Sequence, residues 1–327
     1  MPAVYNVTNG NDAGAGSLRA AITAANGTIG VQDEIQIDPN LTITLTSELP
    51  AITDNLIIVG GGQWNTVITR ALDAPAFRIL TVDARTDVHI YQLTIRRGDA
   101  TQYIGDKNGG GILNRGNLMI AWVTVEDSLA RNGGGIAHRG FGSLQIISNS
   151  LIDYNTAQEN GGGVWFDSLG GRFFMQSSTL TRNDAGKSGG GMYFFGGITT
   201  TRERKIITSS IVNNESSNGG GLYIDGNFEI DRTTFQGNTA NGNNGTNKGG
   251  GIFIENGTTY INQSTFLDNE ALSNGGGIWL DNTANLSLIA SVFSGNTAPT
   301  GKSLCIQIGA GYTFASNILD WPEVWVP

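Results

Sequence analysis

Short stretches in which apolar and polar residues alternate recur along most of the chain. Between residues 109 and 277, seven Gly-Gly-Gly triplets each precede one such stretch, and a second alternating run follows before the next triplet. Alternation with a period of two is typical of a β-strand with one buried face. Each repeat therefore predicts two or three short strands and no helix.

The triplets set the period of the repeat. They begin at residues 109, 133, 161, 189, 219, 249 and 275, so the intervals are 24, 28, 28, 30, 30 and 26 residues. A unit of this size with only short strands cannot bury its own apolar face, whereas stacked copies bury it continuously. The pattern predicts an all-β fold, a single-stranded right-handed parallel β-helix of roughly ten turns, with each turn rising about 4.8 Å.

Glycine and asparagine are placed where the turns of such a helix would need corners. Glycine tolerates positive φ and close backbone approach, and asparagine tolerates the left-handed region. One asparagine column precedes the triplets and a second follows the third strand. We expect the second column to form hydrogen bonds between successive turns, or else each residue to fit only its own corner. Its members are Asn155, Asn183, Asn214, Asn238, Asn269 and Asn296.

The two ends of the chain depart from the repeat. Residues 17–26 predict a helix that caps the first turn, because Leu18 and Ile22 fall on one apolar face behind a Ser17 N-cap. We expect one β-helix domain over 1–327: the cap and irregular turns over 1–60, the repeats over 61–310, and an end turn and tail over 311–327. Trp321 and Trp325 in that tail either plug the last turn or dock on a partner.

Composition narrows the function. The 327 residues carry a formal net charge of −9, which disfavours a nucleic-acid partner, although an acidic surface could recruit Ca²⁺. One cysteine excludes an intramolecular disulfide, and one cysteine with two histidines disfavours a His/Cys zinc site. No apolar run has the length of a transmembrane segment, and the N-terminus lacks a signal-peptide pattern, so the export route stays open.

Two stretches carry a family resemblance. The segment Val4–Ile22 resembles the N-terminal domain named for a Cys-Ser-Leu-Arg-Glu-Ala motif, with Gly16 and Ala20 in place of the Cys and Glu. The repeats resemble those of polymorphic outer membrane proteins, which carry Gly-Gly-Ala-Ile and Phe-x-x-Asn; Phe235–Asn238 is one match. The resemblance implies a pectin lyase-like β-helix on a bacterial cell surface or outside the cell. It implies little about activity, since such helices serve as adhesins, passengers, stalks and lyases.

An outward-facing column is the main candidate site. In the strand after each triplet, the first and third positions are mostly apolar and should face the core, so the second and fourth should face out. We expect these two columns to form a ligand-binding surface, with covered structural stacking as the alternative. The second position supplies Trp165, Tyr193, Tyr223, Phe253 and Trp279, and the fourth supplies Asp167, Asp225, Glu255 and Asp281. Arg115, Arg139 and Phe195 occupy the fourth position in other repeats.

No motif of a polysaccharide-cleaving β-helix stands out, so no catalytic residue is assigned. His138, followed by Arg139, is the best isolated acid–base candidate, with a structural corner histidine as the alternative. The sequence favours an extracellular structural or adhesive scaffold that presents a repetitive binding face to a polysaccharide or a cell-surface protein. A carbohydrate-active enzyme, either a polysaccharide lyase or a glycosidase, and a subunit of a homo-oligomer or filament remain the alternatives.

Overall fold

The chain winds into a parallel β-helix of about 11 turns, which confirms the predicted right-handed solenoid. The structure is a computed structural model that describes residues 1–198, 203–243, 246–319 and 324–326. Strand pairing is parallel throughout this part of the chain, as in the register Ile112, Ile136, Val164 along three successive turns. A one-residue slip would turn every apolar side chain outward, so the alternating pattern fixes this register.

Three strand columns form the walls of the helix, and we call them the first, second and third faces. The first face contains the strands that follow the triplets and their counterparts at the ends: Leu80–Val82, Ile112–Asn114, Ile136–Arg139, Val164–Asp167, Met192–Gly197, Leu222–Gly226, the first part of Ile252–Asn262, the first part of Ile278–Ile289, Leu304–Ile306 and Val324–Trp325. The second face contains Val4–Val7, Asp33–Ile37, Leu56–Val59, the first part of Asp87–Arg96, the first part of Asn117–Glu126, Ser143–Ile147, Arg172–Gln176, Arg204–Ile207, Phe228–Asp231, the later part of Ile252–Asn262, the later part of Ile278–Ile289 and Gly311–Ala315.

The third face lies between the second face and the next triplet. It contains Thr42–Leu45, Val67–Arg70, the ends of Asp87–Arg96 and Asn117–Glu126, Leu151–Asp153, Thr179–Thr181, Ser210–Val212, Thr234–Gln236, Thr265–Leu267, Val292–Ser294 and Ile318–Leu319. A separate six-stranded ladder closes six successive turns, each before its triplet: Leu129–Ala130, Thr156–Ala157, Asp184–Ser188, Glu215–Asn218, Thr239–Ala240 and Glu270–Ala271.

The triplet glycines are required for two different reasons. The first glycine of each triplet has a φ between 61° and 68°, as at Gly133 with 61° and Gly189 with 68°, a region that disfavours side chains. The second glycine is needed for space. A Cβ on Gly134 would lie 2.6 Å from the carbonyl oxygen of Gly162 in the next turn. The stacking of turns therefore also selects glycine, independently of the backbone angle.

The second asparagine column forms the expected ladder. Asn155 Nδ2 donates to Asn183 Oδ1 at 3.0 Å, and Asn183 Nδ2 donates to Asn214 Oδ1 at 3.0 Å. The same bond continues through Asn238, Asn269 and Asn296, and none of the six side chains is more than 1% exposed. A buried amide without partners would be costly, so the ladder stabilises the corner as a unit.

A continuous apolar core fills the helix from the cap to the last turns. The predicted cap is present as the α-helix Leu18–Ala25, with Ser17 as N-cap and its Oγ accepting from Ala20 N. Leu18, Ala21, Ile22 and Ala25 are buried, as the periodicity predicted. In the last turns Trp325 is 42% exposed, and Trp321 lies outside the described residues.

Candidate functional site

The second-position residues form one column on the outer side of the first face. Trp165, Tyr193, Tyr223, Phe253 and Trp279 are direct register partners in successive turns. The Tyr193 and Tyr223 rings stack with centroids 5.0 Å apart, and Tyr223 and Phe253 stack at the same distance. None of the five belongs to the core inside the helix, so the alternation placed them on the correct side of the sheet.

The expected exposure of this column is wrong for three of its five members. Trp165 is 8% exposed, Phe253 6% and Trp279 3%, while Tyr193 and Tyr223 are half-buried. The column is a second apolar layer outside the sheet, and at its C-terminal end it includes the buried Cys305. The Lys248 ammonium lies 3.9 Å from the centroid of the Trp279 ring, a cation–π contact that covers that end.

The acidic column beside it is interrupted by a bulge. Asp225 is the register partner of Asn256, not of Glu255, because the strand shifts by one residue after Ile254. Burial raises the pKa of Asp225 and of Glu255, and the Tyr223 hydroxyl donates a hydrogen bond to the Glu255 carboxylate. Asp281 is half-buried and adjoins a second irregularity of the same strand pairing. The carboxylates therefore do not form the straight row that the repeat alignment predicted.

Burial also raises the pKa of the two tyrosines. The pKa of Tyr193 rises to about 12, and that of Tyr223 rises further because the charge of Glu255 adds to the effect of burial. Both phenols therefore stay protonated near neutral pH and act as hydrogen-bond donors rather than as bases.

His138 is inside the helix and is not an accessible acid–base group. Its side chain is 0% exposed, stacks on Phe166 at 4.7 Å and contacts the Asn114 amide through Nδ1 at 2.7 Å. Burial lowers its pKa to about 3, so the ring is neutral at physiological pH. The structural alternative is therefore the better description, but the predicted corner position is wrong, because His138 lies within the strand Ile136–Arg139 with its ring directed to the core. His89 lies at the surface, 3.5 Å from Asp87.

A groove of about 1000 Å³ opens along the fourth-position column in the N-terminal half of the helix. Five successive turns contribute to it, and its wall combines arginines, aspartates and exposed apolar side chains. The lining residues are Ala84, Arg85, Asp106, Arg115, Gly116, Asn117, Arg139, Gly140, Phe141, Gly142, Asp167, Ser168, Leu169 and Phe195. Of the nine site residues predicted from the sequence, only Asp167 lines this groove.

Asp106 organises the charged wall. Its Oδ2 atom lies 3.1 Å from Arg115 Nη2 and 3.3 Å from Arg139 Nη1, and Arg115 Nη1 is also 3.6 Å from Asp83 Oδ1. Burial acts to raise the pKa of Asp106, but the hydrogen bond from Arg115 and the charges of Arg139, Arg115 and Arg78 hold it below its usual range. Asp106 is thus an anion that aligns two guanidinium groups from neighbouring turns.

A buried arginine fixes the segment that carries Asp106. The Arg78 side chain is 3% exposed and donates from Nη2 to the Asp106 carbonyl at 2.7 Å and from Nε to the Gly109 carbonyl at 2.8 Å. Its guanidinium also lies over the Tyr103 ring, 4.6 Å from the centroid. Because the planar guanidinium contacts several carbonyls at once, it holds this connection between turns in one conformation.

Asp167 faces the same groove with different surroundings. It is the register partner of Arg139, yet among the described residues its carboxyl group has no hydrogen bond and no ion pair within 4.0 Å. Burial raises its pKa, and the charge of Arg139 opposes that rise only in part. Asp167 is therefore the carboxyl group of the groove that takes up a proton most readily.

The apolar wall is built from the corner loops that join the first face to the second. Phe141 is 81% exposed and Leu169 is 58% exposed, and each lies against a glycine of the next turn. A Cβ on Gly170 would lie 2.6 Å from Phe141 Cδ1, so a side chain at residue 170 would displace this ring. An exposed aromatic ring is a suitable platform for the apolar face of a ligand.

Arg115, Arg139 and Phe195 also occupy the fourth position, but the repeat pattern alone did not assign them to the site. Their position in the same fourth-position column as Asp167 was the sequence signal that could have identified them. Asp106 and Phe141 were missed altogether, because they lie in connections outside the repeat alignment. The glycines on either side of Phe141 could have indicated an exposed aromatic residue in a tight corner.

The part of the chain that the structure describes contains no group of three or more His, Cys, Asp or Glu residues placed to hold a metal ion. None of its helices has the length and apolar character needed to cross a bilayer.

Comparison with known proteins shows the fold. No family model matches this chain, and no curated protein matches it. ORF18 of Geobacillus virus E2 aligns with 95% of the chain at 14% identity and a TM-score of 0.54, and the chain spans 61% of that protein. The A-modules of the Azotobacter vinelandii mannuronan C-5 epimerases AlgE6 and AlgE4 each align with 99% of the present chain, over 98% and 100% of their own lengths. Their identities are 13% and 14%, with TM-scores of 0.45 and 0.43.

Proposed function

We propose that this protein is a surface-presented β-helical scaffold that binds an anionic polysaccharide in the groove. The charge of the groove carries this proposal. Its lining has three arginines, Arg85, Arg115 and Arg139, and two aspartates, Asp106 and Asp167, for a local net charge of +1 in a chain of net charge −9. A positive groove attracts anions, whereas the acidic surface outside the groove repels them.

The shape of the groove favours a polymer over a small molecule. Lining residues come from five successive turns, and four inter-turn steps of about 4.8 Å give a length of roughly 19 Å along the helix axis. The lining combines arginines with the exposed apolar side chains of Phe141 and Leu169. A sugar chain has charged or hydroxyl edges and less polar ring faces, and it fits such a mixed lining.

The resemblance of the N-terminal segment and the repeats to bacterial surface proteins supports presentation outside the cell. In this proposal residues 1–327 act as one β-helix domain, and the rigid stack of turns holds the groove in place. The aromatic column then serves mainly as an outer stabilising layer, with the half-buried Tyr193 and Tyr223 as its ligand-accessible members.

Binding to polysaccharides that differ in charge tests the proposal. Dextran and dextran sulfate share one backbone, and polygalacturonate and hyaluronate supply carboxylates. We expect affinity for at least one of the three anionic polymers, none for dextran, and weaker binding at high salt. Arg139→Gln and Phe141→Ala should each weaken binding about tenfold, the effect of roughly 1.4 kcal/mol.

Tyr260→Ala is the matched control, because Tyr260 is 56% exposed but lies on the second face outside the groove. Its affinity should equal that of the wild type. An equal loss in this control, or no binding of any anionic polymer by the wild type, would refute the proposal.

Cleavage of the bound polysaccharide is a second candidate function, favoured by Asp167. A half-buried carboxyl group with a raised pKa in a ligand groove suits general acid–base chemistry. Incubation of the four polymers with wild type and Asp167→Asn, followed by assays for new reducing ends and for unsaturated products, tests it. Products formed by the wild type and not by the variant would support cleavage. If the wild type forms no products, only the binding function remains.

A further inference from the structure

One of the connections that line the groove contains a left-handed residue that is not glycine. In the connections from the first face to the second, six described residues have φ in the left-handed region. Five are glycines, Gly140, Gly197, Gly226, Gly257 and Gly309, with φ from 69° to 137°. The sixth is Arg85, with a φ of 71°.

The glycines show what this corner requires of the backbone. In the left-handed region a Cβ crowds the following carbonyl, so an L-residue other than glycine is strained there. Arginine has no short side chain with which to form the local hydrogen bonds that make asparagine or aspartate tolerable. Residue 85 therefore carries an arginine where backbone geometry alone favours glycine. Other corners of the helix also hold a non-glycine residue with positive φ, as at Arg232, so it is the position of the Arg85 side chain in the groove that points to a use for it.

The Arg85 side chain is also unlike the other two arginines of the groove. Arg115 and Arg139 both contact Asp106, so their charges are partly compensated. Arg85 is exposed and lines the groove, and it has no hydrogen bond, ion pair or ring contact among the described residues. It therefore contributes nothing visible to the fold, and its charge faces the space where the ligand would lie.

We propose that Arg85 is a ligand-contacting residue that binds an anionic group of the polysaccharide and gives the groove its preference for charged over neutral chains. This inference rests on the proposed function and deepens it. The guanidinium supplies several donors to a sulfate or carboxylate group, and it needs no rearrangement of existing ion pairs to do so.

Arg85→Gly tests the inference because it should change affinity and stability in opposite ways. Removing the guanidinium should weaken binding of dextran sulfate about tenfold. Releasing the strained φ should raise Tm by about 1–2 °C, since glycine adopts this conformation freely. Arg85→Lys keeps the charge and the strain, so it should retain most of the affinity and show no rise in Tm.

Arg232→Gly is the matched control. Arg232 is also an arginine with positive φ, 46°, and its side chain is 56% exposed, but it lies at the corner between the second and third faces. Its replacement should leave dextran sulfate binding unchanged.

The outcomes separate the inference from the proposed function. Unchanged affinity in Arg85→Gly alongside a loss in Arg139→Gln would overturn the inference and leave the proposed function standing. A fall in Tm in Arg85→Gly would show that the side chain supports the fold, and that also overturns it. A wild-type protein that binds none of the anionic polymers would overturn both.

Discussion

Asn238 Nδ2 donates a 2.9 Å hydrogen bond to Asn269 Oδ1 in the next turn, and neither side chain is exposed to solvent. Asn238 also donates to the Ile211 carbonyl at 2.8 Å, and its own Oδ1 accepts from Asn214 Nδ2 at 3.0 Å and from Asn214 N at 3.1 Å. One side chain thus satisfies polar groups of the turns on either side. The ladder adds side-chain hydrogen bonds between turns to the backbone pairing and core packing that also hold them.

Asn238→Ala should therefore be strongly destabilising. The change leaves the Asn214 amide and the Ile211 carbonyl buried without their partner, and each such group costs about 1–3 kcal/mol. We expect a loss of about 3 kcal/mol in the free energy of unfolding, measured by urea denaturation. Asn282→Ala is the control, since Asn282 is exposed and outside the ladder, and it should change stability by less than about 0.5 kcal/mol. Equal losses in the two variants would contradict a role for the ladder.

The ladder and the triplets explain why the fold could be predicted so fully from the sequence. In a parallel solenoid, equivalent residues of successive turns meet directly, so each structural requirement repeats at the period of the turn. Gly134 and Asn183 each represent a column that is visible in the sequence as a repeated letter. The alternation of apolar and polar residues shows which side of the sheet each residue faces, and it correctly predicted that Trp279 lies on the outer side.

Exposure could not be predicted in the same way. Whether Trp279 faces solvent depends on Lys248, which comes from the segment before a different triplet. The groove depends on Asp106, which lies in a connection that no other turn repeats. Residues outside the repeat do not recur at equivalent positions, so their contacts give no repeated signal in the sequence. The candidate site is formed largely by such contacts and could not be predicted from the repeat.

Trp279→Ala should destabilise the helix rather than create a binding defect at an exposed surface. Its ring is 3% exposed and packs with Phe253 and Cys305. Removing a buried aromatic side chain costs about 3–5 kcal/mol, so the midpoint of urea denaturation should fall clearly. Trp64→Ala is the control, because Trp64 is 65% exposed and its loss should cost less than about 0.5 kcal/mol. A Trp279→Ala protein as stable as the wild type would show that the ring is not buried.

His138 should make the protein sensitive to moderate acid. Burial lowers its pKa in the folded protein to about 3, below the unfolded value of 6.5. The unfolded chain therefore binds a proton that the folded chain does not, and stability falls as pH drops from about 6.5 toward 3. At pH 4 this group alone should remove about 3 kcal/mol relative to pH 7.

Comparison with His138→Phe isolates that contribution. Phenylalanine can stack on Phe166 as the imidazole does, and Asn114 Nδ2 keeps its 2.9 Å bond to the Ser143 carbonyl. Urea denaturation at pH 7 and pH 4 should show a smaller acid-induced loss in His138→Phe than in the wild type. His89→Phe should leave the loss unchanged, because the His89 side chain is 27% exposed. The same acid-induced loss in wild type and His138→Phe would contradict the assignment.

Asp167 should make binding of an anionic polysaccharide stronger in acid. Burial raises its pKa above the usual 3.8, so as pH falls through that raised value Asp167 loses its negative charge while the arginines keep theirs. The net charge of the groove then changes from +1 to +2, since Asp106 has a lowered pKa and stays ionised longer. Dextran sulfate is the suitable probe, because its sulfate groups remain charged over this range. Affinity measured by calorimetry should rise as pH decreases, whereas Asp167→Asn should bind more tightly at pH 7 and lose most of the pH dependence.

Asp281→Asn, which removes a carboxylate outside the groove, should behave as the wild type does. An equally steep pH dependence in Asp167→Asn would show that another group controls the charge of the groove.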